Sequence, residues 1–307
     1  VFLVCTSMTR FKSRCLVIVI LAGCSTLSGC SFLRQAKNDE IAMARQVSLR
    51  GEQALRQGHW LHAEQLYGRA IQHAPSDHRA HRGYAEALWN QRAHDTAISH
   101  MEKALKFSGQ DPKVMVRLGE MYLEKGYLPQ SKHCAEQAIA TDHMLSSAWA
   151  LKGKALFRAG DLDGALAGFH RALSLQNQFP DVQLEMAQAY RMQQRPRRAL
   201  ATLDVLARTY EKQDVPQEVL YLHGLALKDI GRYEEAADQL AQAVKQGQPN
   251  AKLLFELSES QWLAGNPANA RLSLIKALSL SPDHHPSRQL LARIDDNRQG
   301  LTANISR

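Results

Sequence analysis

The strongest constraint on this chain is a pattern that recurs every 34 residues. From residue 44 the sequence aligns with itself in seven blocks, and a three-residue insertion at 214–216 interrupts the register. A block of this length cannot bury an apolar core alone, so neighbouring blocks must stack against each other to form one. The pattern therefore predicts a linear array of repeats. The blocks span residues 44–77, 78–111, 112–145, 146–179, 180–213, 217–250 and 251–284.

Two columns of this alignment contain only small residues. Position 24, by contrast, is large and apolar in most blocks, as in Phe169 and Leu240, with Ala135 as the exception. Small residues at fixed positions predict that two helices approach so closely there that only a hydrogen, a methyl or a hydroxymethyl group fits. Position 8 is Gly51, Ala85, Gly119, Gly153, Ala187, Gly224 and Ser258, and position 20 is Ala63, Ala97, Ser131, Ala165, Ala199, Ala236 and Ala270.

The fourth block shows the pattern most clearly. It reads SSAWALKGKALFRAGDLDGALAGFHRALSLQNQF and carries Trp149, Gly153, Leu156, Gly160, Ala165, Phe169 and Ala172. This spacing resembles the tetratricopeptide repeat, in which two antiparallel helices form each unit. The resemblance implies an all-α fold, a right-handed α-solenoid of about seven repeats. Glycines mark the turns between the helices, at Gly58, Gly126, Gly160, Gly231 and Gly265.

The segments that flank the array also have predicted roles. Residues 285–299 carry Leu290, Leu291 and Ile294 at helical spacing, which predicts a capping helix over the apolar end of the last repeat. Residues 300–307 are predicted to be a frayed tail. Residues 31–43 are predicted to be a short helical or flexible spacer before the first repeat.

Residues 1–30 differ from the rest of the chain. They contain no Asp or Glu, and three basic residues, Arg10, Lys12 and Arg14, precede an apolar run and a cluster of small residues. This order is typical of a secretory signal peptide. An uncleaved transmembrane helix is the alternative, but the apolar run is about fifteen residues long and a span needs roughly twenty. Met8 opens a conventional leader and is an alternative start.

The end of this leader holds one tetrapeptide pattern twice, as Leu-Ala-Gly-Cys24 and Leu-Ser-Gly-Cys30. The pattern resembles the lipobox of bacterial lipoproteins, in which the cysteine thiol receives a diacylglyceryl group before cleavage. A helix from Arg14 reaches about 15 Å to Cys24 and about 24 Å to Cys30, against a hydrocarbon core of roughly 30 Å. Reach favours Cys30, while similarity to the commonest lipobox favours Cys24, and both stay open.

The resemblance also implies where the protein lies. The residue after either cysteine is Ser rather than Asp, which implies transfer to the periplasmic face of the outer membrane. Four of the five cysteines lie in or beside the leader, so Cys134 has no partner for an internal disulfide and is predicted to be buried and inert.

A tetratricopeptide array presents a groove lined mainly by positions 2, 5, 9 and 12 of each first helix. The predicted lining mixes basic and aromatic residues, which suits an extended or helical peptide with some acidic character. Mixed charge is also what any solvated groove shows, and the convex face and the array ends are alternative binding surfaces. The candidate groove residues are Arg79, Arg82, Glu86, Trp89, Lys113, Glu120, Lys154, Phe157, Gln188, Arg191, Tyr221 and Lys228.

No catalytic motif is recognisable, and neither a metal nor a cofactor is expected. The pairs His59 with His62 and His78 with His81 are interpreted as surface residues, because no third ligand lies near them in sequence. The formal net charge of +8 indicates nucleic acid only weakly, and an exported protein rarely meets it, so no nucleic-acid partner is expected.

Leader and repeats together predict a lipid-anchored, non-catalytic scaffold that binds protein partners in the cell envelope. The combination is similar to the tetratricopeptide lipoproteins that assist pilus assembly, such as the pilotins of type IV and Tad systems. The alternative is a regulatory or targeting subunit of an envelope enzyme, for instance a glycosyltransferase or a peptidase. The sequence predicts no oligomeric state.

Overall fold

A computed structural model describes residues 39–211 and 214–305, with side chains up to residue 296. Within these ranges the secondary structure consists of fifteen α-helices and no strands. They are α1 39–56, α2 Trp60–His73, α3 His78–Asn90, α4 His94–Phe107, α5 Pro112–Glu124, α6 Leu128–Thr141, α7 Ser146–Arg158, α8 Leu162–Leu175, α9 Pro180–Met192, α10 Pro196–Ala207, α11 Gln217–Asp229, α12 Tyr233–Gln246, α13 Ala251–Leu263, α14 Pro267–Leu280 and α15 His285–Ile305.

The helices form pairs, and six of the first helices begin at the first residue of a predicted block. The fold is the predicted all-α solenoid of repeats. The chain divides into two compact units, one up to Met121 and one from Tyr122, and the division falls within α5. Within each unit a helix packs mainly against the helices before and after it.

The two columns of small residues lie where paired helices touch. Every member of position 20 has no exposed surface, and every member of position 8 is buried. In the pair α7–α8 a methyl group on Gly153 would lie 2.5 Å from Cδ1 of Phe169 and 3.1 Å from the carbonyl oxygen of Ala165. The prediction that these positions mark the closest approach of two helices is confirmed.

A left-handed residue ends the first helix of each pair. Gly58 and Gly160 have φ of 74° and 85°, as expected of a residue without a side chain. The equivalent residues of the second and fifth blocks, Arg92 and Gln194, adopt the same conformation with φ of 65° and 57°. The turn geometry is therefore kept where its glycine is missing, because packing of the two helices dictates the reversal.

Helical structure begins inside the predicted spacer, where a helix was one of the two alternatives, and it extends past the predicted capping helix. Helix α1 begins at residue 39, inside the predicted spacer, where Asp39 and Glu40 favour a helix N-terminus through its dipole. Helix α15 continues to Ile305, so the prediction of a frayed tail from residue 300 is wrong for 300–305. Residues 300–305 contain no proline, and their single glycine, Gly300, costs only about 1 kcal/mol relative to alanine in a helix.

The first part of α15 covers the last repeat as predicted. Leu290 and Ile294 are buried and pack with Ala270 and Leu274 of α14, and Leu291 is partly buried against the same cluster. The insertion 214–216 also contributes to the core of the second unit, since Val215 is 8% exposed and joins the cluster around Phe169 and Leu203.

One histidine lies in the interior of the first unit rather than on the surface. His81 of α3 is 3% exposed, so its interpretation as a surface residue is wrong. Its Nε2 donates to the carbonyl oxygen of Pro75 at 2.9 Å, and its Nδ1 lies 3.0 Å from Nδ1 of His100 in α4. One proton lies between these two Nδ1 atoms, so that one nitrogen donates and the other accepts. A second proton would place two donors face to face.

Replacing Gly153 by leucine should destabilise the protein by about 1–3 kcal/mol or more. The larger side chain must displace the Phe169 ring or separate α7 from α8, and this cost exceeds the gain in helix propensity over glycine. Urea unfolding measures the change. Ala167→Leu, at an exposed position of α8, is the control and should leave the midpoint nearly unchanged. Equal midpoints for the two variants would contradict the contact.

Stability should also fall in acid because of the histidine pair. Burial first, and then Lys103 and His81, lower the pKa of His100 to about 4 from its usual 6.5. The folded state then binds this proton more weakly than the unfolded state, so the contribution is complete above pH 6.5 and is lost as the pH falls towards 4. Urea midpoints across this window should fall more for the parent than for His100→Gln. The exposed control His62→Gln should behave like the parent, and a His100→Gln slope equal to that of the parent would contradict the assignment.

Candidate partner-binding surface

In the first unit, three of the predicted groove residues converge on one cleft. Arg79, Arg82 and Glu86 line an open cleft of about 390 Å³ together with residues of α1. Lys113 is exposed at the start of α5 and does not line this cleft, and Glu120 lies one turn from its C-terminal end. The sequence therefore identified one wall of this cleft, while the wall formed by α1 was missed.

Two neighbouring clefts occupy the equivalent face of the second unit. One, of about 380 Å³, gathers the predicted residues Lys154, Phe157 and Gln188. The other, of about 280 Å³, includes the predicted Tyr221 beside Lys252. Glu218 of α11 lines both clefts, and it was not among the predicted residues. The first helices of successive repeats thus leave connected space between their side chains.

Trp89 does not lie where the sequence placed it. Its side chain is only 8% exposed, and its ring packs edge-on against His94 with the ring centroids 4.3 Å apart. Position 12 at this point therefore faces the second helix of its own pair. The prediction that Trp89 lines a groove is wrong, because the repeat position alone does not determine which way a large side chain turns.

In the first unit, Arg117 joins two predicted groove carboxylates. Its guanidinium donates to both oxygens of Glu86 at 2.7 and 2.9 Å, and to Glu120 at 3.1 Å. Burial opposes the charge on Arg117, but these hydrogen bonds and charges raise its pKa above the ordinary value. Glu86 and Glu120 are therefore held by the protein itself.

Ion pairs between first helices also neutralise predicted basic residues in the second unit. Nζ of Lys154 lies 3.8 Å from Oε1 of Glu185. Nε of Arg191 lies 2.6 Å from Oδ2 of Asp229. Lys228 contacts both Glu256 and Glu259, and the hydrogen bonds to these carboxylates raise its pKa despite burial.

The partners Arg117, Glu185, Asp229, Glu256 and Glu259 were missed by sequence reasoning, although a signal was present for three of the pairs. Three pairs join residues of opposite charge 31 residues apart, namely Glu86 with Arg117, Lys154 with Glu185, and Lys228 with Glu259. Because the repeat is 34 residues long, a residue 31 positions later lies in the next repeat, about one helical turn before the equivalent position. The surface of the second unit is consequently more balanced in charge than a list of its basic residues indicates.

Glu185 remains poorly matched within its cleft. Burial raises its pKa, while Lys154 and Arg158 oppose that rise. Its Oε2 is buried and has no hydrogen-bond partner among the described residues. Because a buried oxygen without a donor is costly, a bound partner that supplies one would be stabilised here.

Other predictions concern chemistry away from the clefts. Cys134 is buried, as predicted. Across residues 39–211 and 214–305, no group of three His, Cys, Asp or Glu residues is placed to hold a metal ion. In the same ranges, no helix combines the length and apolar character needed to cross a membrane. Cys24 and Cys30, the candidate lipidation sites, lie outside the described residues.

Comparison with known proteins supports the repeat assignment. The tetratricopeptide repeat matches residues 49–112, 116–180 and 221–285, and a second form of the same repeat matches 156–220. No curated protein matches the chain.

Solved structures show the same fold at low sequence identity. A tetratricopeptide repeat protein from Parabacteroides merdae is 13% identical, with a TM-score of 0.60 over 82% of this chain and 99% of that one. YrrB, described as a TPR protein with an unusual peptide-binding site, is 19% identical, with a TM-score of 0.54 over 62% and 96%. PilF of Pseudomonas aeruginosa is 17% identical, with a TM-score of 0.50 over 85% and 98%. The chain belongs to the tetratricopeptide repeat family.

Proposed function

We propose that this protein is a lipid-anchored, non-catalytic scaffold that binds protein partners carrying acidic segments in the cell envelope. Members of its family typically mediate protein–protein interactions and are typically not enzymes. The observation that carries the proposal is the set of open clefts on the first helices, which are lined by charged, amide and aromatic side chains.

The size and lining of these clefts suit a peptide rather than a small-molecule substrate. Each cleft is open, and the two in the second unit share Glu218 and so form a continuous surface. Extended chains bind such surfaces through several modest contacts, with affinity concentrated in a few arginine and aromatic residues. YrrB, of the same fold, is described as having a peptide-binding site, which supports this class of partner.

The envelope location rests on the leader. Basic residues, an apolar run and a doubled lipobox pattern precede the repeats, and this arrangement resembles bacterial lipoproteins of the periplasmic face of the outer membrane. We therefore propose that the scaffold serves the assembly of a pilus or secretion apparatus. The role as a regulatory or targeting subunit of an envelope enzyme is the competing function.

Partner capture should depend on the first helices. Arg82→Ala combined with Gln188→Ala removes one side chain from a cleft in each unit. It should weaken partner binding about thirtyfold or more and reduce recovery accordingly, since two contacts of more than 1 kcal/mol are lost. Crosslinking and mass spectrometry on intact cell envelopes measure the recovery.

The control is Arg69→Ala with Gln137→Ala, which changes the same residue types at exposed positions of second helices. It should recover partners at the parent level. Equal recovery by the two double variants would refute the surface assignment. Crosslinks to a glycosyltransferase or a peptidase, rather than to components of a pilus or secretion apparatus, would favour the competing function.

Lipid attachment should depend on a single cysteine. Cys30→Ala is expected to abolish or shift the incorporation of radiolabelled palmitate, because in bacterial lipoproteins the thiol of the lipobox cysteine receives the diacylglyceryl group. Cys24→Ala serves as the matched variant. Unchanged labelling of Cys30→Ala with loss in Cys24→Ala would assign the anchor to Cys24, and labelling that survives both changes together would exclude a lipid anchor at this leader.

A further inference from the structure

The cleft of the first unit differs from those of the second in its charge. We call it the arginine cleft, because Arg45 of α1 and Arg79 and Arg82 of α3 line it. None of these three arginines forms an ion pair with a carboxylate among the described residues. In the larger cleft of the second unit, by contrast, Lys154 has Glu185 as its ion-pair partner. The lining of that cleft also holds more carboxylates than cations, with Asp181, Glu185 and Glu218 beside Lys154 and Arg158.

The carboxylates that line the arginine cleft are engaged elsewhere. Glu52 accepts from Arg56 at 2.8 Å. Asp77 caps α3 by accepting from the backbone N–H of Arg79 at 3.0 Å. Glu86 accepts two hydrogen bonds from Arg117. The lining therefore presents guanidinium groups whose charge is not matched by a contacting anion, and such groups favour an anionic ligand.

A further polar atom of the arginine cleft lacks a partner. Oγ of Ser48 is buried and forms no hydrogen bond with any described residue. A hydroxyl can donate to a carboxylate or to a carbonyl oxygen of a bound chain, and leaving it unpaired costs free energy. Ser48 and Arg45 stand about one turn apart on α1, so both side chains can reach the same bound segment.

The arginine cleft also has an apolar side. Leu49 is 65% exposed and lines the cleft, although a side chain of this size is usually buried in a repeat core. The ring of Tyr67, which also lines the cleft, lies between two glycines. A methyl group on Gly51 or Gly83 would come within 2.9 or 2.1 Å of this ring. Tyr67 is only 4% exposed, and its ring, packed against both glycines, forms the aromatic floor of the cleft.

The surroundings of Tyr67 determine whether its phenol is ionised. Burial first, and then Glu52, raise the pKa of Tyr67 to about 12, with Arg82 and Arg56 opposing. The phenol therefore stays neutral and adds no anion to the cleft. Arginine side chains beside a neutral, partly apolar floor accommodate a ligand that is both anionic and apolar.

We propose that the arginine cleft binds a segment of a partner protein in which side-chain carboxylates flank an apolar side chain. The carboxylates pair with Arg45, Arg79 and Arg82, and the apolar side chain contacts the exposed Leu49. Three guanidinium groups exceed the single charge of a chain end, so internal acidic residues are the matching ligand. This inference rests on the proposed scaffold function and assigns its acidic partner segment to one subsite.

Synthetic peptides test the ligand chemistry directly on the full chain. The first peptide has a leucine between two glutamates and blocked ends, the second has glutamine in place of both glutamates, and the third has alanine in place of the leucine. Fluorescence anisotropy should show the first peptide binding about tenfold or more tightly than either of the others. Added salt should weaken its binding further. Equal affinity for the first and second peptides would overturn the proposal, as would binding that requires a free C-terminal carboxylate.

Variants of the protein test the location. Arg79→Gln and Arg82→Gln should each weaken binding of the first peptide about tenfold, and Leu49→Ala should reduce the preference for leucine over alanine. Arg69→Gln, the same change at an exposed position of α2, is the matched control and should bind like the parent. Binding unaffected by the two arginine changes would overturn the assignment.

The experiments distinguish a failure of the arginine-cleft proposal from a failure of the proposed scaffold function. If the peptides fail while crosslinking still recovers partners through the second unit, only the subsite is wrong. If no partner is recovered by any variant or by the parent, the scaffold function is wrong, and the peptide titrations then have no physiological counterpart. Recovery that falls with Arg79→Gln and persists with Arg69→Gln supports both.

Discussion

The whole structure depends on how closely two helices approach within each repeat. At Gly153 the backbone of α7 leaves room only for the Phe169 ring and the Ala165 carbonyl, and the equivalent small residues are buried throughout the array. This contact determines the antiparallel hairpin. It is strong enough to hold Arg92 and Gln194 in a left-handed turn conformation that non-glycine residues rarely adopt. The stacked pairs then form a core that no single repeat possesses.

Stacking also determines what the charged residues do. Where the first helices of successive repeats lie side by side, opposite charges meet, as Arg191 does with Asp229 and Lys228 with Glu256. Such pairs stabilise the contact between repeats and are unavailable to a ligand. Arg45, Arg79 and Arg82 of the arginine cleft form no such pair, because the carboxylates beside them contact Arg56, the α3 N-terminus and Arg117. Whether a charged residue stabilises the array or stays available to a ligand is therefore decided by the residues that the adjacent helices place beside it.

For a scaffold, this division matters more than net charge. A formal charge of +8 suggests a generally basic surface. The structure instead has a second unit whose clefts carry both signs and a first unit in which unpaired arginines lie beside exposed apolar surface. One chain can thus hold partner segments of different chemistry at different repeats, which is consistent with a proposed role in assembling several proteins at a membrane.

The sequence by itself determined the class of fold, the tight helix contacts and most of the turn positions, because these depend on residue size and backbone freedom repeated at a fixed period. It also identified part of the lining of each cleft. Only the tertiary structure decided that Trp89 is buried, that His81 lies inside against His100, and that α15 extends to Ile305. The tertiary structure also decided which arginine and lysine side chains have a carboxylate partner. Burial and charge pairing are properties of side chains brought together from different repeats, and one block read alone contains no information about its neighbour.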